Sequence, residues 1–172
     1  MKRARDAVLG TVGALLVAGG AAACRAPDRP AATTTLAVEV VHGGRRESLA
    51  AESSRPVCSR GLTGMGSWAV QYTDASAGSG LASLQVVAPE GAERPDGTDA
   101  LYIGLAIGAS SDSVHVVETR PGAGHPQGTG HVEVRGGPDT AVVVVRGRAG
   151  SGAELRTTVR CAQVRDGLAA AR

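Results

Sequence analysis

The sequence predicts an all-β domain: an antiparallel sandwich or open barrel-like sheet of seven to nine short strands, with one disulfide. Three observations lead there. Apolar residues alternate with polar or small ones in short runs, the period of a half-buried strand. Clusters of Gly, Pro, Ser and Asp residues separate those runs at regular spacing, and the chain holds 25 glycines. No stretch repeats apolar residues at helical spacing over three turns.

The elements follow in order from residue 36. Leu36, Val38 and Val40 alternate with Ala37, Glu39 and Val41, and His42-Gly43-Gly44-Arg45 is a turn candidate. Residues 45–54 are polar, with a short strand around Leu49 as one reading. Pro56-Val57-Cys58 puts a cysteine on a short strand, and residues 61–66 read as a flexible loop. Residues 67–73 form the clearest early strand, with Trp68, Val70 and Tyr72 on one face. Residues 81–88 give another, with Leu84 and Val86 inward. Leu101, Ile103, Leu105 and Ile107 share a face opposite Tyr102, Gly104 and Ala106, which suits a central strand. Residues 114–118 follow. Residues 129–135 then place Val132 and Val134 inward and His131, Glu133 and Arg135 outward. Gly136-Gly137-Pro138-Asp139 reads as a hairpin turn before the most hydrophobic strand, residues 140–148. The last strand, residues 154–163, aims Leu155, Thr157, Val159 and Cys161 at the core and Arg156, Thr158 and Arg160 away from it. Residues 166–172 read as a tail.

Ahead of this domain stands a different composition. Met1-Lys2-Arg3-Ala4-Arg5 is a positive cluster, and an apolar, glycine-rich run follows to about Gly20. That run is short of the roughly 20 apolar residues a membrane span needs. It fits the apolar region of an export signal, closed by small residues. Ala21-Ala22-Ala23-Cys24 resembles a bacterial lipobox, in which the Cys24 thiol receives a diacylglyceryl group and the signal, residues 1–23, is cut away. Ala21 and Ala23 also suit an ordinary signal peptidase, which would release a free domain. Residues 24–35, with Pro and Thr and no periodicity, form a tether. Thr33, Thr34 and Thr35 offer hydroxyls for glycans, against the plainer reading of a solvated linker.

The cysteines agree with export. There are three: Cys24, Cys58 and Cys161. If lipid consumes Cys24, the other two make one disulfide and none is left over. If Cys24 is free, an exported chain carries an odd thiol. Of 18 basic residues 17 are arginine, and three of the 18 lie in the signal, as does one of 16 acids. The remaining chain has 15 of each, a balance that gives no argument for nucleic acid or polyanion binding. Trp68, Tyr72 and Tyr102 are the only aromatics besides histidine, so Val, Leu, Ile and Ala must build the core.

Several motifs, in this order, resemble the mycobacterial 19 kDa lipoprotein antigen family. They are the lipobox cysteine, the Thr-bearing linker, Pro56-Val57-Cys58, and Gly66-Ser67-Trp68-Ala69-Val70-Gln71-Tyr72. Leu101-Tyr102-Ile103-Gly104-Leu105-Ala106-Ile107-Gly108 and Gly128-Thr129-Gly130-His131-Val132-Glu133-Val134 come next. Val145-Arg146-Gly147-Arg148-Ala149 and Thr158-Val159-Arg160-Cys161 close the set. The resemblance implies an actinobacterial envelope lipoprotein, triacylated at Cys24, with a Cys58–Cys161 disulfide. It implies a surface antigen sensed through its acylated N-terminus and a glycosylated adhesin, and it implies no enzymatic activity. This chain is more charged and richer in arginine, with a shorter Ser/Thr linker.

No stretch reads as a catalytic site, and no cofactor is implied. His42, His115, His125 and His131 lack the clustered partners a metal needs, so each reads as a solvated strand or loop residue. No Gly-x-Ser-x-Gly elbow is present, and the glycine-rich loops lack the Lys and helix of a phosphate loop. Trp68 and Tyr72 could line a ligand groove, although a lone Trp on a strand face is more often core. Two functions remain. One is a membrane-anchored display or interaction domain with a filled core, its protein or glycolipid partner left open. The other is a carrier for a lipid or other apolar molecule, with a cavity of several hundred Å³ between its sheets.

Overall fold

A computed structural model of the chain describes residues 32–62, 66–76, 78–89, 91–93, 95–108 and 113–167. Every element among them is a strand. They are β1 (Thr34–His42), β2 (Arg45–Ser53), β3 (Cys58–Leu62), β4 (Gly66–Thr73), β5 (Leu81–Ala88) and β6 (Tyr102–Ile107). β7 (Ser113–Glu118), β8 (Thr129–Gly136), β9 (Ala141–Arg148), β10 (Glu154–Cys161) and β11 (Val164–Asp166) complete them. Two sheets result: a five-stranded sheet A in the order β2-β1-β10-β9-β8, and a six-stranded sheet B in the order β11-β3-β4-β5-β6-β7. Neither closes into a barrel, so the open sandwich is the form realised.

The eleven strands exceed the seven to nine expected, and the two extra ones have physical reasons. β2 is a full nine-residue strand where only a short one around Leu49 was legible. It is an edge strand, paired on one side only, and its first four residues are exposed. Edge strands carry charges because the free edge must repel other chains, and charge erases the period-two signal. β11 has three residues and runs parallel to β3, the one non-antiparallel pairing described. Nothing local marks so short a parallel strand. Two boundaries also move. β1 begins at Thr34, so Thr34 and Thr35 belong to the domain and not to the tether. β3 runs through Gly61 to Leu62, where a loop from Gly61 was expected.

The core is the one the alternation predicts. Leu36, Val38 and Val40 of β1 face Leu155, Val159 and Val143 within sheet A's inner surface, and all are buried. Val70, Leu84, Val86, Ile103 and Leu105 fill the inner face of sheet B. Leu101, just ahead of β6, is wholly buried. The β1–β2 turn is the tight hairpin that Gly43-Gly44 suggests: His42 pairs with Arg45, and both glycines have positive φ, 57° and 77°. Those angles match a type I′ turn, which residues with a side chain adopt at a cost.

Cys58 and Cys161 are joined, with Cα atoms 6.0 Å apart and 103 residues between them in sequence. Cys58 opens β3 in sheet B and Cys161 closes β10 in sheet A, so the bridge ties the two layers. Beyond Cys161 the chain crosses to sheet B as β11, where the Val164 amide donates to the Asp139 carbonyl at 2.9 Å.

Candidate functional site

Strand register decides which side chains meet. On the outer face of sheet A, one row reads Glu39, Arg156, Arg146, His131 across β1, β10, β9 and β8. A second reads Thr35, Arg160, Val142, Arg135, and a third, between them, reads Ala37, Thr158, Val144, Glu133. The acids of this face are largely matched. Glu39 holds Arg46 at 3.3 Å, Glu133 holds Arg135 at 2.6 Å and Glu154 holds Arg148 at 2.6 Å. Arg146, Arg156 and Arg160 are exposed and make no ion pair among the described residues. Arg146 and Arg156 stand directly opposite each other, an arrangement of like charges that destabilises a sheet.

Three shallow depressions lie along this face. One of about 410 Å³ is walled by Arg146 and Arg156 and floored by Val144 and Thr158. A second of about 400 Å³ runs past Arg148 and Glu154 to His131, whose Nδ1 lies 2.9 Å from Asp99 Oδ1. A third of about 350 Å³ is lined by Arg135, Arg160, Thr33 and Thr35. The start of the domain therefore sits beside the arginines. The opposite face, on sheet B, is different: Gln71, Gln85, Gly104 and Val116 form one row, and Thr73, Ser83, Ala106 and Val114 another. Guanidinium groups presented in pairs over an apolar floor suit phosphate or carboxylate oxygens, which they bind through parallel N–H bonds.

The sequence alone shows that Arg156 and Arg160 share an outward face. It does not show that Arg146 stands beside Arg156, because register is not written locally. A balanced total charge also conceals a face on which the acids are spoken for and three arginines are not.

The residues singled out from sequence fall as follows. Cys24 lies outside the described residues. Cys58 and Cys161 are paired. Thr33 is exposed, but Thr34 is only 2% exposed and its Oγ1 accepts a hydrogen bond from the Ala162 amide at 3.0 Å. In the folded domain that hydroxyl is closed to a glycan; Thr35 is half-buried. Trp68 and Tyr72 are buried members of the core, and the three depressions above are lined by other residues.

His115 corrects the reading of a solvated histidine. It is 5% exposed on β7, with its Nδ1 3.1 Å from Ser151 Oγ. Its ring meets that of His42 edge to face at 5.6 Å, and His42 Nε2–H donates to the Ser151 carbonyl at 3.2 Å. The inward place of His115 follows from β7 register: it is two residues from Val117, and both face the core. Burial first, and the nearby His42 second, hold its pKa below the usual 6.5, against the pull of Glu47. Charging this imidazole therefore opposes folding. Its contribution is intact above the unfolded value and is lost as pH falls through the window below about 6.5. The urea midpoint is expected to decline between pH 7 and pH 5, and His115→Gln to flatten that decline. A slope unchanged in His115→Gln would place the titration elsewhere. Glu118, held low by Arg120, acts only below its usual carboxylate range and leaves this window clear.

These features define a class: a disulfide-stapled, two-sheet β-sandwich with a charged outer face. No family model matches the chain, and no curated protein or solved structure matches it either.

Proposed function

We propose that this chain is a cell-envelope lipoprotein, held on the extracytoplasmic side of the membrane by acyl groups on Cys24. Its β domain serves display and interaction and carries out no reaction. The observation that supports this most is the use of the cysteines. The chain has three, the domain consumes Cys58 and Cys161 in a buried bridge between its sheets, and Cys24 remains. A disulfide suits an oxidising compartment outside the cytoplasm. The remaining cysteine sits directly after Ala21-Ala22-Ala23, where a lipobox would put it. Each buried methylene contributes about 0.8 kcal/mol, so two or three long chains hold a protein to a bilayer durably. The resemblance to the mycobacterial 19 kDa lipoprotein antigen family supports the same reading.

Display is favoured over carriage of an apolar molecule by where the space is. The interior holds wholly buried Leu81, Leu84, Leu101, Ile103 and Val132, and the depressions of a few hundred Å³ lie on the outside.

Intact mass spectrometry of protein extracted from its own membranes tests the proposal. The expected mass is that of the chain from Cys24 plus acyl groups, less two hydrogens that reductant restores. A bare chain beginning near Cys24, or one that still carries its signal, would overturn it.

A further inference from the structure

We infer that the outer face of sheet A docks on anionic phospholipid headgroups, with Arg146, Arg156 and Arg160 receiving the phosphates. The inference deepens the reading of an anchored lipoprotein and rests on it for the choice of occupant. Three observations carry it.

The first is charge left over. Glu39, Glu133 and Glu154 pair with Arg46, Arg135 and Arg148 respectively, so they offset only in part the three guanidiniums that make no ion pair among the described residues, Arg146 also acting on Glu133 at longer range. Two further acids are placed at the margins: Glu52 on edge strand β2 opposite Thr35, away from β9 and β10, and Asp99 at the rim of the second depression, which Arg146 and Arg156 also border. His131 borders the patch and is engaged with Asp99. The second is shape. Arg146 and Arg156 wall a depression of about 410 Å³ with Val144 and Thr158 as its floor, room for a headgroup phosphate between two planar donors. A like-charged cross-strand pair costs stability, and an anion seated between the two would remove that cost.

The third is where the chain enters. Thr33 and Thr35 line the same depression as Arg160 and Arg135. Thr33 lies nine positions beyond Cys24, a stretch that can span at most roughly 30 Å. The chain that leads from Cys24 therefore enters the domain on the face that carries these arginines. Tethering converts weak headgroup contacts into an intramolecular event at high effective concentration.

The test uses the mature chain from Cys24 with Cys24→Ser, so that no acyl group contributes, and vesicle co-sedimentation at low salt. Equimolar phosphatidylglycerol and phosphatidylcholine vesicles are expected to bind it, and phosphatidylcholine vesicles to bind it far more weakly. Each arginine near an anionic surface contributes about fivefold, so R146Q/R156Q/R160Q should lose about a hundredfold. R146K/R156K/R160K, which keeps the charge and loses the planar fork, should bind between the parent and the glutamine variant, and added salt should weaken binding. R120Q, which removes an arginine stacked on Tyr102 of sheet B, should bind as the parent does. An unchanged melting temperature in the glutamine variant shows that the loss is not unfolding.

Equal binding to both vesicle types, or a glutamine variant that binds like the parent, overturns the inference. So does displacement by millimolar inorganic phosphate, which would make the depression a small-anion site. Tighter capture by a soluble polyanion such as heparin than by vesicles overturns it too. Because acylation plays no part here, failure of this face is separate from failure of the anchor, which the mass measurement decides.

Discussion

Breaking the Cys58–Cys161 bridge is expected to lower the melting temperature of this domain by roughly 10 °C. The bridge closes a loop of 103 residues, nearly the whole domain. In the chain-entropy description a loop of about 100 residues is worth up to ~4.7 kcal/mol, and removal of native disulfides from small exported domains costs about 2–5 kcal/mol. For a domain of this size each kcal/mol moves the midpoint by about 3 °C. Two structural facts put the effect toward the upper end. Both sulfurs are buried, so reduction leaves two thiols packed where one bond was. The bridge also ties sheet A to sheet B at the point where the chain crosses into β11, and the layers otherwise hold together through side-chain packing of modest residues. Cys58→Ala/Cys161→Ala and reductant treatment of the parent should give the same shift, and reductant should do nothing further to the double variant. Equal melting of the parent with and without reductant would show that the bridge carries no stability.

How much of this was legible follows from the physics of each element. β6 and β10 could be read residue by residue because one face is buried and the other is not. Leu155, Thr157, Val159 and Cys161 are all under 4% exposed while Arg156 and Arg160 are exposed. β2 could not, because an edge strand surrenders its alternation to charge. β11 could not, because three residues hold too few alternations to recognise. The site follows the same division. The cysteine pair was readable by counting. The Arg146–Arg156 pairing was not, since it depends on the register of the single β9–β10 hairpin, which sets residues ten positions apart opposite each other. His115 was misjudged because histidine, unlike valine, does not announce a core position. Only the Val117 that follows it on the same face gave a signal.

The charge pattern adds a separate point. Total charge is an average over the surface, and a sandwich has two faces that never see each other. On sheet A, salt bridges engage Glu39, Glu133 and Glu154, and Arg146, Arg156 and Arg160 stand clustered over β9 and β10 without an ion pair among the described residues. On sheet B, two rows hold Gln, Ser, Thr and small apolar residues, and the third carries Arg165 at one end and Glu118, paired with Arg120, at the other. A face that tolerates like charges in direct cross-strand contact has kept a local cost that its neighbour avoids, and such departures tend to mark places where something binds.

Trp68→Ala is expected to cost about 3–5 kcal/mol, the range for emptying a large aromatic from a packed core. The indole is 4% exposed, on β4 beside Val70 and Tyr72, and its Nε1–H donates to a carboxylate oxygen of Glu93. It is the only tryptophan in the chain, in a core whose other members are aliphatic apart from Tyr72 and the two bridged cysteines, so little bulk is at hand to fill the space. Trp68→Phe separates the two contributions. It keeps a ring and loses the hydrogen bond to a charged partner, which is worth about 1.5–3 kcal/mol. The alanine variant should therefore unfold at a markedly lower urea concentration than the phenylalanine variant, and both below the parent. The measurement also decides between core and ligand groove for this residue. A groove tryptophan can be truncated with little loss of stability, because water already meets one of its faces. A core tryptophan cannot. An alanine variant that unfolds within a few tenths of a kcal/mol of the parent would place the indole at a binding surface and reopen the carrier reading.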